Sequence, residues 1–182
     1  MTISKNDLIR ILSKDILNWS CFLRDTHIKS SEPIPTQEQL ILAHYFEPTI
    51  LKRTKIKFVD SIDIPVLNES IKDVVEERYF NLQEAAGIAF WNCILIIPDN
   101  IKKKTSFTSL LFHELVHVLQ YNLLGMEKYV QLYISDWLNN GFKYEHIALE
   151  CIAHKLTQRF EQGQVFSVKQ SLMEEVDLKK IW

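Results

Sequence analysis

Leu111-Phe112-His113-Glu114-Leu115-Val116-His117-Val118-Leu119-Gln120 sets a His-Glu-x-x-His pattern inside an apolar run of helical length. On a helix the two histidines project from one face, about 40° apart around the axis, so both imidazoles reach a single metal ion. Glu114 stands between them on a neighbouring face, where a carboxylate acts as general base toward a water activated by that metal. The setting weighs against the plain alternative of a packed pair of core histidines. Two histidines and a glutamate among Leu110, Leu111, Phe112, Leu115, Val116, Val118 and Leu119 are costly to bury without partners, and one divalent cation serves all three.

A chain of 182 residues is long enough for one well-buried domain and short for two, so residues 1–182 are expected to form a single domain. With 21 basic against 23 acidic residues and a formal net charge of -2, nothing draws it in bulk to nucleic acid or an anionic membrane, and neither is expected as a partner. Lys102-Lys103-Lys104 is basic but has no interleaved aromatics or second basic cluster, and reads as a solvated loop. Met1 to Asp7 is polar and charged where a secretory signal needs an apolar stretch, and no apolar run reaches spanning length. Cytoplasmic residence is the expectation, although signal-independent secretion leaves the same trace. Cys21, Cys93 and Cys151 are odd in number and lack Cys-x-x-Cys spacing, which argues against a disulfide framework and a thiolate zinc site. Cys151 reads as core packing.

Outward from the motif, Thr105 or Ser106 caps its helix and Gly125 ends it. Just before it, Gly87-Ile88-Ala89-Phe90-Trp91 and Cys93-Ile94-Leu95-Ile96-Ile97 are rich in β-branched and aromatic residues, as in one bent strand or a hairpin. Lys55 to Asp60 alternates like a half-buried strand. Helices are expected from Ser4, as cap, to about Ile28, and from a capping box at Thr36-Gln37-Glu38-Gln39 to near Pro48. Further helices are expected over 68–80, 127–139, 144–162 and 167–181. The expected class is α+β, mostly helical, with a small sheet ahead of the motif helix.

Two imidazoles do not complete a catalytic zinc site, which takes a third protein ligand and leaves a position for water. The extended metalloprotease motif does not supply it, because Gln120 and Leu123 stand where that motif has glycine and histidine. A later acid must serve, and the candidates are Glu127, Asp136, Glu145 and Glu150. Glu150 is preferred: it lies in Ile147-Ala148-Leu149-Glu150-Cys151-Ile152-Ala153, read as mid-helix and so apolar that a carboxylate there needs a reason. Glu145, about 140° away around the same expected helix, and Glu127 suit the helix starts they occupy. Asp136 reads as solvent-facing.

His113-Glu114-Leu115-Val116-His117-Val118-Leu119-Gln120-Tyr121, then Leu124-Gly125, Tyr129, Tyr133, Gly141, Tyr144 and Leu149-Glu150, resembles the small bacterial zincin-like metallopeptidases of the glutamate-ligand class over about residues 85 to 155. The resemblance implies a zincin fold in which the strand around Gly87 to Ile97 is the edge lining the cleft and pairs with an extended peptide. It implies His113, His117 and Glu150 as zinc ligands and Glu114 as base. One departure stands out: where the best-known members carry an acid one turn after the third ligand to orient a zinc-bound histidine, this chain has His154.

The expected function is therefore a zinc-dependent hydrolase, a peptidase acting on a peptide or protein substrate. Tyr133, Tyr144, His146 and His154 are the open candidates for stabilising the oxyanion. The rival expectation is a catalytically weak or inactive zincin-like scaffold with a binding or regulatory role, favoured by the missing acid.

Overall fold

The computed structural model describes residues 3–75, 84–101 and 105–175. Helix α1 (Lys5–His27) begins where Ser4 accepts the Asp7 N–H on its side chain, as its cap position predicts. β1 (Glu32–Pro33), α2 (Thr36–Leu42), α3 (Pro48–Arg53), β2 (Lys55–Phe58) and α4 (Glu69–Val75) follow. The sheet is completed by β3 (Gly87–Phe90) and β4 (Cys93–Ile96), and the chain continues through α5 (Phe107–Leu124), α6 (Met126–Asn139), α7 (Ala148–Glu161) and α8 (Val168–Glu175). The class is α+β and mostly helical, with no helix among the described residues long and apolar enough to cross a membrane.

The sheet has the order β1-β2-β4-β3. β2 pairs with β4 in parallel, and β3 folds back on β4 as an antiparallel hairpin with Phe90 opposite Cys93. The turn is Trp91-Asn92, with Trp91 at φ 55° in the left-handed region that tight hairpins need. β3 is thereby an edge strand. Because Ile97 N–H bonds to Ala86 C=O at 2.9 Å, alternation along the ladder turns the backbone groups of Gly87 and Ala89 away from β4.

The motif helix is the axis of the molecule. Every residue of α5 from Ser109 to Tyr121 is buried except His113, which is half-buried, as a helix apolar on all sides must be. Ser106 caps it by accepting the Ser109 N–H, and Gly125 at φ 78° ends it. Phe112, with no exposed surface, stacks on Phe160 of α7 at 4.5 Å between centroids and meets Tyr45 and Phe46 edge-on. α7 runs alongside α5 in the opposite sense, since Gln120 meets Leu149 at one end and Phe112 meets Phe160 at the other.

Several expectations are corrected. The capping box at Thr36 does not form: Pro35 takes the cap position without a side-chain bond, and the Gln39 amide donates to Ile34 C=O instead. That helix ends at Leu42, and Pro48 starts a separate helix, for which its fixed φ is suited. The helix expected over 144–162 is broken. Tyr144–His146 is a single 3₁₀ turn, Ile147 is extended, and α7 begins at Ala148, whose N–H donates to Asp136 Oδ2 at 3.0 Å. Asp136 is thus a half-buried cap for α7 rather than a solvent-facing acid. Cys151 is exposed, its Sγ on the Glu145 carbonyl, and does not pack in the core. The expected ends of the helices over 68–80 and 167–181, and the lysine run 102–104, lie outside the described residues.

Candidate metal centre

His113 and His117 come from the second and third turns of α5, and their Nε2 atoms stand 3.1 Å apart. Glu150 enters from the first turn of α7, with Oε2 3.3 Å from His117 Nε2 and 3.5 Å from His113 Nε2. Atoms bound at 2.0–2.1 Å to one tetrahedral zinc ion stand about 3.3 Å from one another. Two imidazole nitrogens and a carboxylate oxygen with these separations fit zinc in both donor type and spacing. A looser set, His113, Glu150 and His154, offers ligand atoms that all lie within 4.8 Å of one another.

The helix break makes this convergence possible. Glu150 is buried as expected, but as the third residue of α7 rather than in mid-helix. Its carboxylate is held by two phenols: Tyr133 of α6 donates to Oε1 at 2.9 Å and Tyr144 to Oε2 at 2.5 Å. Glu145 is exposed, and Glu127 sits in the first turn of α6. Neither shares the site.

Glu114 lies beside the two histidines and against β3. It is 5 % exposed, accepts a hydrogen bond from the Ala89 backbone, and sits where a Cβ on Gly87 would come within 3.2 Å of its Cγ and Oε1. Burial pushes its carboxyl up to about 7, opposed by His117 and reinforced by the negative Glu150. Burial also pushes His113 down to about 4, more than the Glu150 hydrogen bond can restore. For His117 burial is the largest single effect and acts in the same downward direction, but the Glu150 charge and hydrogen bond, with Glu114 and Gln120, together outweigh it and the imidazole is raised. Glu150 itself, against its burial, is held well below the usual carboxylate range by the His117 charge and the two imidazole hydrogen bonds. The cluster therefore favours one positive charge beside Glu150.

These groups line a cleft of about 780 Å³ between β3, α1, α5, α6 and α7. Trp19, Phe90, Val130 and Ile134 contribute apolar lining. Ser109, Gln158 and Glu161 contribute polar lining. His154 is exposed on the cleft side of α7, its ring 4.7 Å from that of His113, so it faces the cleft rather than serving as a bonded helix residue. Of the oxyanion candidates, Tyr133, Tyr144 and His154 line the cleft and His146 does not.

The sequence reading missed three supports of the histidines. Gln120 Oε1 lies 2.9 Å from His117 Nδ1, Tyr129 Oη 3.2 Å from the same nitrogen, and Thr157 Oγ1 3.4 Å from His113 Nδ1. Gln120 carried a visible signal, as a polar residue three after His117 in an otherwise apolar helix. Thr157 and Tyr129 carried none, since their reach depends on how α6 and α7 dock. No family model, curated protein or solved structure matches this chain, so the chemistry of the site rests on these side chains themselves.

Proposed function

We propose that the protein is a zinc-dependent hydrolase of peptide bonds, with a zincin-like arrangement of an edge strand over the motif helix. The observation that carries this reading is the meeting of His113 Nε2, His117 Nε2 and Glu150 Oε2 at 3.1–3.5 Å in an open cleft, with a separate buried carboxylate, Glu114, beside them. Zinc held there supplies Lewis acidity, lowering the pKa of water to about 7 and polarising a carbonyl.

The protein's own groups divide the remaining work. The backbone groups of Gly87 and the carbonyl of Ala89 face away from β4, so an extended peptide can pair with β3 and lay its backbone across the site, while the Ala89 N–H is given to Glu114. Glu114, buried beside the two histidines and steadied by the Ala89 backbone, takes the proton of the attacking water and returns it to the leaving amine. Tyr144, 42 % exposed at the cleft wall, has a hydroxyl within reach of the carbonyl oxygen once it leaves Glu150 Oε2, and is the best-placed oxyanion donor. Tyr133, more deeply placed on Oε1, holds the ligand instead.

A second reading, a zincin-like scaffold that binds without turnover, draws on His154. As a further protein ligand it would close the position that a catalytic site leaves for water. Purified chain without a histidine tag, assayed for zinc by plasma mass spectrometry and for cleavage of casein and a mixed peptide library, separates the two. Zinc with cleavage supports the hydrolase, zinc without any cleavage supports the scaffold, and absence of zinc overturns both.

A further inference from the structure

We propose that Gln120 is the positioning residue that decides which nitrogen of His117 faces the metal and ties that histidine to the helix start bearing Glu150. The inference rests on the zinc reading above. Gln120 is 2 % exposed, and its amide spans two elements: Oε1 lies 2.9 Å from His117 Nδ1, and Nε2 donates to the Leu149 carbonyl at 3.0 Å. A backbone carbonyl only accepts, so the amide nitrogen must face Leu149 and the amide oxygen must face His117. That oxygen only accepts in turn, so Nδ1 of His117 carries the proton. With metal bound the imidazole is neutral and has one N–H; held at Nδ1, that proton leaves the Nε2 lone pair for the metal on the side of His113 Nε2 and Glu150 Oε2, the metal taking the place of the positive charge that the cluster otherwise favours there. The Tyr129 hydroxyl on the same Nδ1 is compatible, since it accepts as well as donates.

This arrangement gives His117 an orienting acceptor of its own; the position of the absent acid, one turn after Glu150, lies beside His113 instead. Metal-bound histidines give their second N–H to an orienting acceptor, and here that acceptor comes from α5 itself. A carboxylate at position 120 would accept from His117 but would set a negative oxygen against the Leu149 carbonyl. Only an amide serves both neighbours, and through Leu149 it fixes the residue next to Glu150. The partner of His113, Thr157 at 3.4 Å, is the weaker of the two supports.

The test uses the full chain loaded with zinc. Long-range proton–nitrogen correlation spectra report which ring nitrogen of His117 carries the proton, and competition with a chromophoric chelator reports zinc affinity for the wild type and for Gln120→Met, which keeps length and removes both hydrogen bonds. The expected result is a proton on Nδ1 with zinc on Nε2, and an affinity about 10- to 100-fold lower in the variant. Zinc on Nδ1 of His117, or a variant within about twofold of wild type, overturns the assignment to Gln120 while leaving the zinc site standing. A wild type that takes up no zinc overturns the zinc reading itself. Should Gln120→Met not fold, the wild-type spectrum alone decides.

Discussion

Gly87 stands so close to Glu114 that a methyl group added there would lie 3.2 Å from both Cγ and Oε1 of the glutamate. The strand that lines the cleft and the carboxylate proposed as base are thus in contact, and the missing side chain is what lets them be. Gly87→Ala should displace Glu114 without touching a metal ligand. Zinc affinity is expected within about twofold of wild type and kcat/KM down by up to about 100-fold, the scale of a small misplacement of a reacting group. Unchanged hydrolysis with unchanged zinc would show that the contact is slack.

Glu114→Gln keeps the shape of the side chain and removes its basicity. Zinc content should stay at one ion per chain while cleavage of casein disappears. Equal cleavage rates for the two proteins would remove Glu114 from the mechanism.

Losing a ligand differs from losing a neighbour. His113→Ala and His117→Ala should each abolish stable zinc binding, and Glu150→Ala should weaken it by at least about 10- to 100-fold, the range found even for residues one step removed from a metal. Glu145→Ala, at an exposed position in the preceding turn, should leave affinity unchanged. Zinc retained at full occupancy in the double histidine variant would place the ion elsewhere.

Asp136 reaches from α6 to accept the Ala148 N–H, doing for α7 what a helix normally does with its own cap residue. Asp136→Ala should lower stability by about 1 kcal/mol, as loss of a helix cap does. A thermal melt equal to wild type would mean that water replaces the bond at no cost.

What was legible in the sequence is what neighbours in the chain decide. The apolar spacing of α1, the cap at Ser4, a cap for α5 at Thr105 or Ser106, the stop at Gly125 and a bent strand or hairpin over 87–97 all depend on residues a few positions apart, and the structure chooses Ser106 and the hairpin. Glu150 was legible for a related reason, because its apolar neighbours demand burial wherever the helix begins. The helix break at Ile147 was not, since the group that caps α7 lies twelve residues upstream on another helix. For the same reason no local pattern tells which phenols reach Glu150: Tyr133 is brought there by the docking of α6 on α7, and Tyr144 by the break. At Thr36 a local pattern was present but lost to a competitor, the Ile34 carbonyl, for the Gln39 amide.

The burial of α5 on all sides has a consequence for how the molecule breathes. Amide protons of residues 113–117 sit in the most enclosed helix, so their exchange with solvent deuterium should require opening of the whole domain. The turn carrying Tyr144 lies at the surface and outside any long helix, and its amides should exchange through small local excursions. The two histidines and Glu114 are then anchored at the full depth of the fold's stability, while the hydroxyl that rests on Glu150 hangs from a short exposed turn.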